Sequence, residues 1–219
     1  MTAKRTYHHG NLRAALIAVA LKEVARSGPE SFSLREVARR AGVSAPAVYR
    51  HFADKEALLA AVAAECSERI EAALTAAVAA AGPDPLERFR ATGIAYVQFA
   101  VEHPEHFRAI SAEWLAPHTP HRQHAASERR LADERAALSR AQADGLIVNV
   151  PLDDMMLAAV SITHGLAQLI LEGRLGKVDA ARAKQLAITV TAMLGIGFAP
   201  RVEPYEDALS GIRVKPRSR

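Results

Sequence analysis

Apolar residues recur along most of the chain with the 3.6-residue period of a helix, and the breaks between periodic stretches carry cap and stop residues. Leu12, Leu16, Val19, Ala20 and Val24 share one face of a first helix, with Asn11 as its cap and Ser27-Gly28 as its end. The densest signals lie between Ser33 and Leu59. Ser33-Leu34-Arg35-Glu36 reads as a capping box, in which Ser33 and Glu36 satisfy each other's orphan amides. Leu34, Val37, Ala38 and Ala41 fall on one face, and Arg35, Arg39 and Arg40 point elsewhere. Gly42 suits the left-handed position past a helix end, and Ser44 is placed to cap the next helix, which turns Val48 and Phe52 inward. Asp54 then caps a helix that begins at Lys55. Two short helices joined by a Gly-containing turn, with basic residues outward, predict a helix-turn-helix.

Downstream, the helix from Lys55 runs to about Ala80, where Gly82-Pro83 stops it, and another runs from Asp84-Pro85 to about Glu102. His103-Pro104 breaks the pattern. A short helix through Phe107 and Ile110 leads to Trp114, and Pro117 to Pro120 reads as a loop. Residues 121 to 144 form a polar helix with a narrow Leu131/Leu138 seam, closed by Gly145. Two apolar helices follow, Leu152 to about Glu172 and, capped by Asp179, on to about Gly195. Val160, Ala167, Leu169 and Ile170 on one, with Ala183, Leu186, Val190 and Met193 on the other, supply more apolar surface than one core needs. That surplus argues for a partner helix pair and hence a homodimer. The fold class is therefore all-α, and the tail from 200 to 219 reads as loosely ordered.

Composition agrees with this picture: half of the 219 residues are hydrophobic and only 5% aromatic. A single cysteine, Cys66, leaves no internal disulfide and fits a reducing cytoplasm. No N-terminal run resembles a signal peptide, and the most apolar stretch, from Met155 onward, is interrupted by His164 and Glu172, so a buried helix is expected and no membrane partner. Charge sharpens the reading. Residues 1–65 hold ten Lys/Arg against six Asp/Glu, whereas the remainder is balanced, so the whole net charge of +4 lies in the helix-turn-helix portion, as expected of a nucleic-acid footprint.

Val37-Ala38, Ala41-Gly42-Val43-Ser44, Val48-Tyr49-Arg50-His51-Phe52, Lys55-Glu56 and Leu58-Leu59, with Tyr7 to Leu16 upstream, resemble the DNA-binding domain of the TetR family of bacterial transcriptional repressors. The later residues are similar, less specifically, to the family's ligand-binding and dimerisation domain. His164-Gly165-Leu166 with Leu171-Glu172-Gly173 resembles the subtype named for a Trp-His-Gly tripeptide, although Thr163 stands where the Trp would be. The resemblance implies a DNA-binding domain over 1–55, a helical ligand-binding and dimerisation domain over 56–199, and a dimeric repressor that a small-molecule effector releases from its operator.

The candidate contacts follow from placement. Tyr49, His51 and Lys55, at the end of one helix and the start of the next, can reach one phosphate strand, and in the resembling family the matching positions do so. The competing role for Tyr49 is that of a core aromatic. Ser44, Ala45, Pro46 and Ala47 stand at the start of the recognition helix; the last three offer base edges only apolar contact, for instance to a thymine methyl. Arg35 and Arg50 are polar contacts or solvated charges. Lys4 and Arg5 belong to a terminal arm that suits phosphate contact or simple fraying. Phe89, Tyr96, Phe99, Phe107 and Trp114, together with His164, suit either a cavity for a small apolar effector or ordinary core. His118, His121 and His124 are spaced three apart, as are His103 and His106, but no cysteine or carboxylate completes a metal-ligand set, so a solvated His-rich loop is expected and no metal or cofactor. For a helical-bundle enzyme the sequence offers no nucleophile–base pair, phosphate loop or zinc motif, and a helical interaction protein without DNA binding would show no salt-dependent shift of any DNA.

Overall fold

The computed structural model describes residues 12–31, 33–112, 114–119 and 121–197. The N-terminal arm with Lys4 and Arg5, the Asn11 cap, the upstream part of the Tyr7–Leu16 stretch and the 200–219 tail lie outside them. Among the described residues all regular structure is helical: α1 Leu12–Ser27, a 3-10 turn at Pro29–Ser31, α2 Leu34–Ala41, α3 Ala45–Tyr49, α4 Lys55–Ala80, α5 Pro85–Glu102, α6 Pro104–Ile110, α7 Leu115–His118, α8 His121–Ala143, α9 Leu152–Leu171 and α10 Ala180–Gly197.

The helices form two compact units. The first takes α1 to α3, α4 through Ala72, and the segment His103–Ser127. It thus extends beyond residue 55, where the sequence-based boundary falls. Its core is built from the predicted inward faces: Leu16, Ala20 and Val24 meet Val37, Val48 and Phe52, with Leu58, Val62 and Cys66 from α4 and Ala109 from α6. Burial pushes the Cys66 thiol up to about 12, so it stays protonated and packs as a small apolar group.

Local chemistry sets the helix ends. Ser33 accepts the Glu36 amide at 3.3 Å, which is half of the expected capping box. The other half does not form, because the Glu36 carboxylate takes Arg39 at 2.6 and 2.8 Å and Arg40 at 2.7 Å instead. Gly42 closes α2 at φ 71°, and the next amide, of Val43, reaches back to the Ala38 carbonyl. Ser44 occupies the cap position of α3, but its side chain makes no cap bond. The amide it would take, that of Ala47, already donates to the Ser44 carbonyl at 3.0 Å. Asp54 does cap α4, accepting the Ala57 amide at 2.7 Å. The predicted loop at Pro117–Pro120 is in part the one-turn helix α7. Pro117 is tolerated there because the amides of a first turn need no intrahelical partner.

The second unit takes Ala73–Glu102 and the described residues from Glu128 onward. Val97 of α5, Leu166 and Ile170 of α9, and Ala183 and Ala187 of α10 make its centre. The close approach is at Gly93. A Cβ there would stand 3.0 Å from Thr163 Cγ2 and 3.2 Å from Thr191 Cγ2, and both hydroxyls bond back to their own helices. A second cluster joins Leu138 of α8 to Ile147, Val148, Val150 and Met155, and Gln142 Nε2 ties this connection down by donating to the carbonyls of Val148 and Val150. Of the predicted seam, Leu138 is buried and Leu131 is exposed.

Two expectations for the apolar helices need correction. By length and composition α9 is apolar enough to cross a bilayer, with mean hydropathy 1.4, because its Leu, Ile, Val, Met and Ala outweigh its two Asp, one Ser, one Thr, one His and one Gln, although one such helix does not indicate a membrane protein. Nor is it a buried helix: it packs on α5 and α10, yet leaves Leu157 at 65% and Val160 at 61% exposure. Val190, by contrast, packs against its own unit's core rather than standing free.

Candidate nucleic-acid interface

Helix α3 is short and amphipathic, and its packing decides which of the candidate residues reach solvent. Val48 and Phe52 are buried, so the side chains between and beside them face outward. Tyr49 is 50% exposed, which rules out the core-aromatic reading, and Arg50 and His51 are exposed beside it. Lys55 follows across the Asp54-capped turn, half-buried, with Nζ 3.9 Å from the Glu30 carboxylate. At that distance the Glu30 pair is loose, and the Glu30 carboxylate itself is almost fully exposed.

At the start of α3 the outcome is mixed. Ser44 and Pro46 are exposed, and Ala45 is half-buried against the core. Ala47 is only 7% exposed, so its methyl is part of the packing and not a base contact. The apolar surface offered to a groove is therefore Pro46 and the outer side of Ala45, a smaller surface than three residues would give.

The arginines divide in a way sequence does not disclose. Arg40 ion-pairs with both Glu23 at 2.6 Å and Glu36 at 2.7 Å, joining α1 to α2, while Arg39 is held by Glu36 and Arg26 by Glu23. Hydrogen bonds from the two guanidiniums, Arg39 first, hold the Glu36 carboxyl down at about 2. Arg35 is exposed and takes no part in this network. The first turn of α4 is braced as well. His118 Nδ1 donates to the Trp114 carbonyl and Nε2 lies 2.7 Å from the Glu56 carboxylate, next to Lys55. This corrects the expectation of a solvated histidine loop for His118; the side chains of His121 and His124 lie outside the described residues. Among the described residues no three His, Cys, Asp or Glu side chains gather as metal ligands. His103 and His106 instead meet edge to face, and burial, then the Arg69 charge, lowers the His106 pKa.

An exposed Tyr-Arg-His run flanked by a capped turn and a lysine, on a Gly42-turned helix pair, is a surface for a polyanion. Residues 16–62 match the bacterial regulatory proteins of the tetR family, and residues 89–193 match the tetracyclin repressor-like C-terminal domain. The chain belongs to the TetR family. It is a helix-turn-helix transcription regulator of the repressor type, in a family whose members are typically released from DNA by small molecules. A protein of unknown function from Rhodococcus sp. RHA1 is 32% identical over 90% of this chain and 100% of its own, with TM-score 0.69. A TetR family transcription regulator from Marinobacter aquaeolei VT8 is 26% identical over 86% of this chain and 96% of its own, also at 0.69. The ketosteroid transcriptional regulator of Mycobacterium tuberculosis shares the fold, at 18% identity and TM-score 0.69, over 86% of this chain and 95% of its own. No curated protein matches the chain.

The six residues suggested for an effector cavity of this regulator are distributed over both units. Phe107 and Trp114 belong to the first, where Phe107 is fully buried and Trp114 packs on the core. Phe89, Tyr96, Phe99 and His164 belong to the second. There Phe99 is closed off and Phe89 packs beside the Leu138 cluster, while Tyr96 Oη lies 3.0 Å from His164 Nδ1, with Gln168 at the other ring nitrogen.

Proposed function

We propose that the protein is a cytoplasmic, non-enzymatic homodimer that occupies a near-palindromic operator and leaves it when a small apolar effector binds. The observation that carries the DNA-reading part is the outward row of Tyr49, Arg50, His51 and Lys55 beside a short, buried-backed recognition helix. Tyr49, His51 and Lys55 hold phosphates and set register. Ser44, Ala45 and Pro46, with Arg35 and Arg50, meet base edges or the adjoining backbone. One such unit covers half a site, so two-fold symmetry in the protein matches a palindrome in the DNA. The dimer forms through the outer face of α9 with α10, where Leu157, Val160 and Met193 stand exposed. Residues 1–55 act as the reading head and 56–199 as the sensing and dimerising part.

The likeness to the Trp-His-Gly subtype rests on His164-Gly165-Leu166 and Leu171-Glu172-Gly173 without the Trp itself. Thr163 stands at the position of the Trp that names the subtype, and its methyl lies against Gly93. For the effector, Phe99 and Phe107 are closed off, so the sensing role falls on Tyr96 and His164, a hydrogen-bonded pair with Gln168 beside it. A ligand releases DNA only through better binding to a conformer whose recognition helices miss the half-site spacing. A coupling of about 1–3 kcal/mol suffices. Selection from a random DNA pool, followed by calorimetry of an identified ligand with and without the selected duplex, tests both parts. Absence of an enriched palindrome sinks the operator reading, and equal ligand affinity in the two titrations sinks induction.

A further inference from the structure

Arg13 stands in the first turn of α1, exposed, with its guanidinium carbon 5.4 Å from the centre of the Phe52 ring. Phe52 is buried and immediately follows His51 at the end of the recognition segment. The ring face thus holds a planar cation from α1 against the α3–α4 turn that carries Tyr49, His51 and Lys55. Arg26, Arg39 and Arg40 of the same unit spend their charge on Glu23 and Glu36, whereas Arg13 has no carboxylate among its described contacts. A cation kept in place by an aromatic face still has all of its N–H donors free, and a guanidinium in that state is suited to bidentate phosphate binding.

We propose that Arg13 is a phosphate-binding residue of the DNA interface, pre-positioned by Phe52. The proposal rests on the DNA-binding reading above and extends the contact surface from α3 and α4 to α1. Affinity for a mixed-sequence duplex, measured over a series of salt concentrations, tests it, since phosphate contacts are independent of sequence. Wild-type protein should give a steep salt dependence; a flat one would overturn the DNA-binding reading itself. Arg13→Ala should make the slope shallower by about one unit and weaken all duplexes alike, and Arg13→Lys should restore the slope. Arg26→Ala removes an equally charged but ion-paired residue of the same helix and should leave the slope unchanged. A wild-type slope in Arg13→Ala, or an equal loss in Arg26→Ala, would overturn the role of Arg13 while leaving the DNA-binding reading intact. Thermal melts of each variant identify any loss that comes from unfolding.

Discussion

Among the described residues of the first compact unit the large hydrophobic side chain left in the open is Tyr49, flanked by Arg50 and His51; in the second, Leu157, Val160, Leu169 and Met193 stand exposed along α9 and α10. The first unit satisfies its apolar residues internally and turns charge and a phenol outward, as suits a partner that is a wet polyanion. The second completes a core and still has apolar helix faces left over, as suits a partner with apolar faces of its own. The same helical period thus produces two kinds of surface, depending on whether the surplus residues are cationic or aliphatic.

The largest effect should come from breaking the second surface. Val160→Glu puts a carboxylate on the exposed face proposed for the partner helix, and an unpaired charge buried there would cost about 3–5 kcal/mol. Light scattering should then report a monomer whose melting temperature resembles that of a diluted wild type. A dimer that survives would place the interface elsewhere. Val160 is a sharper choice than Val190, which contributes to its own unit's core.

Next comes the tight crossing inside that unit. Gly93→Val drives methyls into Thr163 and Thr191 and should cost about 1–3 kcal/mol in denaturant unfolding. Gly93→Ala combined with Thr163→Ser, which removes the nearer Cγ2, should recover part of the loss. Failure to recover would mean that Thr191 alone limits the approach.

On the first surface the effects are smaller and electrostatic. Lys55→Ala should weaken binding to all duplexes alike and reduce the salt slope by about one unit. A change of base preference with the slope intact would move Lys55 from phosphate to base reading. The smallest effect concerns Glu36, whose carboxyl titrates at about 2 in the fold against an ordinary 4.5. A depressed carboxyl stabilises the fold above its ordinary pKa, so this contribution should be lost as pH falls from 4.5 towards 2. Glu36→Gln should lower stability slightly at neutral pH, where the contribution is fully present, and flatten the acid window, so that the two proteins converge towards pH 2. An unchanged acid limb would show that the Arg39 and Arg40 contacts do not hold in solution.

What sequence discloses here is what depends on neighbours in the chain. Gly42, Asp54 and Asp179 mark helix ends because capping is a bond between residues two or three apart, and the structure has each of them in that role. Side-chain partners are a different matter. Glu36 was free, by spacing alone, to close the capping box, but two arginines one turn ahead compete for it and win by charge. Ala47 looks outward on a helical wheel, but a five-residue helix is oriented by what Val48 and Phe52 pack against, and that tilts the Ala47 methyl inward. The difference between locked and available arginines is likewise invisible, since Glu23 and Arg40 meet only after α1 and α2 are packed.

Cys66 gives the first unit a reporter of its own. A thiol that is fully enclosed and titrates at about 12 cannot meet an alkylating reagent as thiolate while the fold is shut. Its labelling rate under native conditions therefore counts how often the core between α1 and α4 opens. If DNA clamps that core, the count falls in its presence, and occupancy of the operator becomes readable at a single sulfur atom.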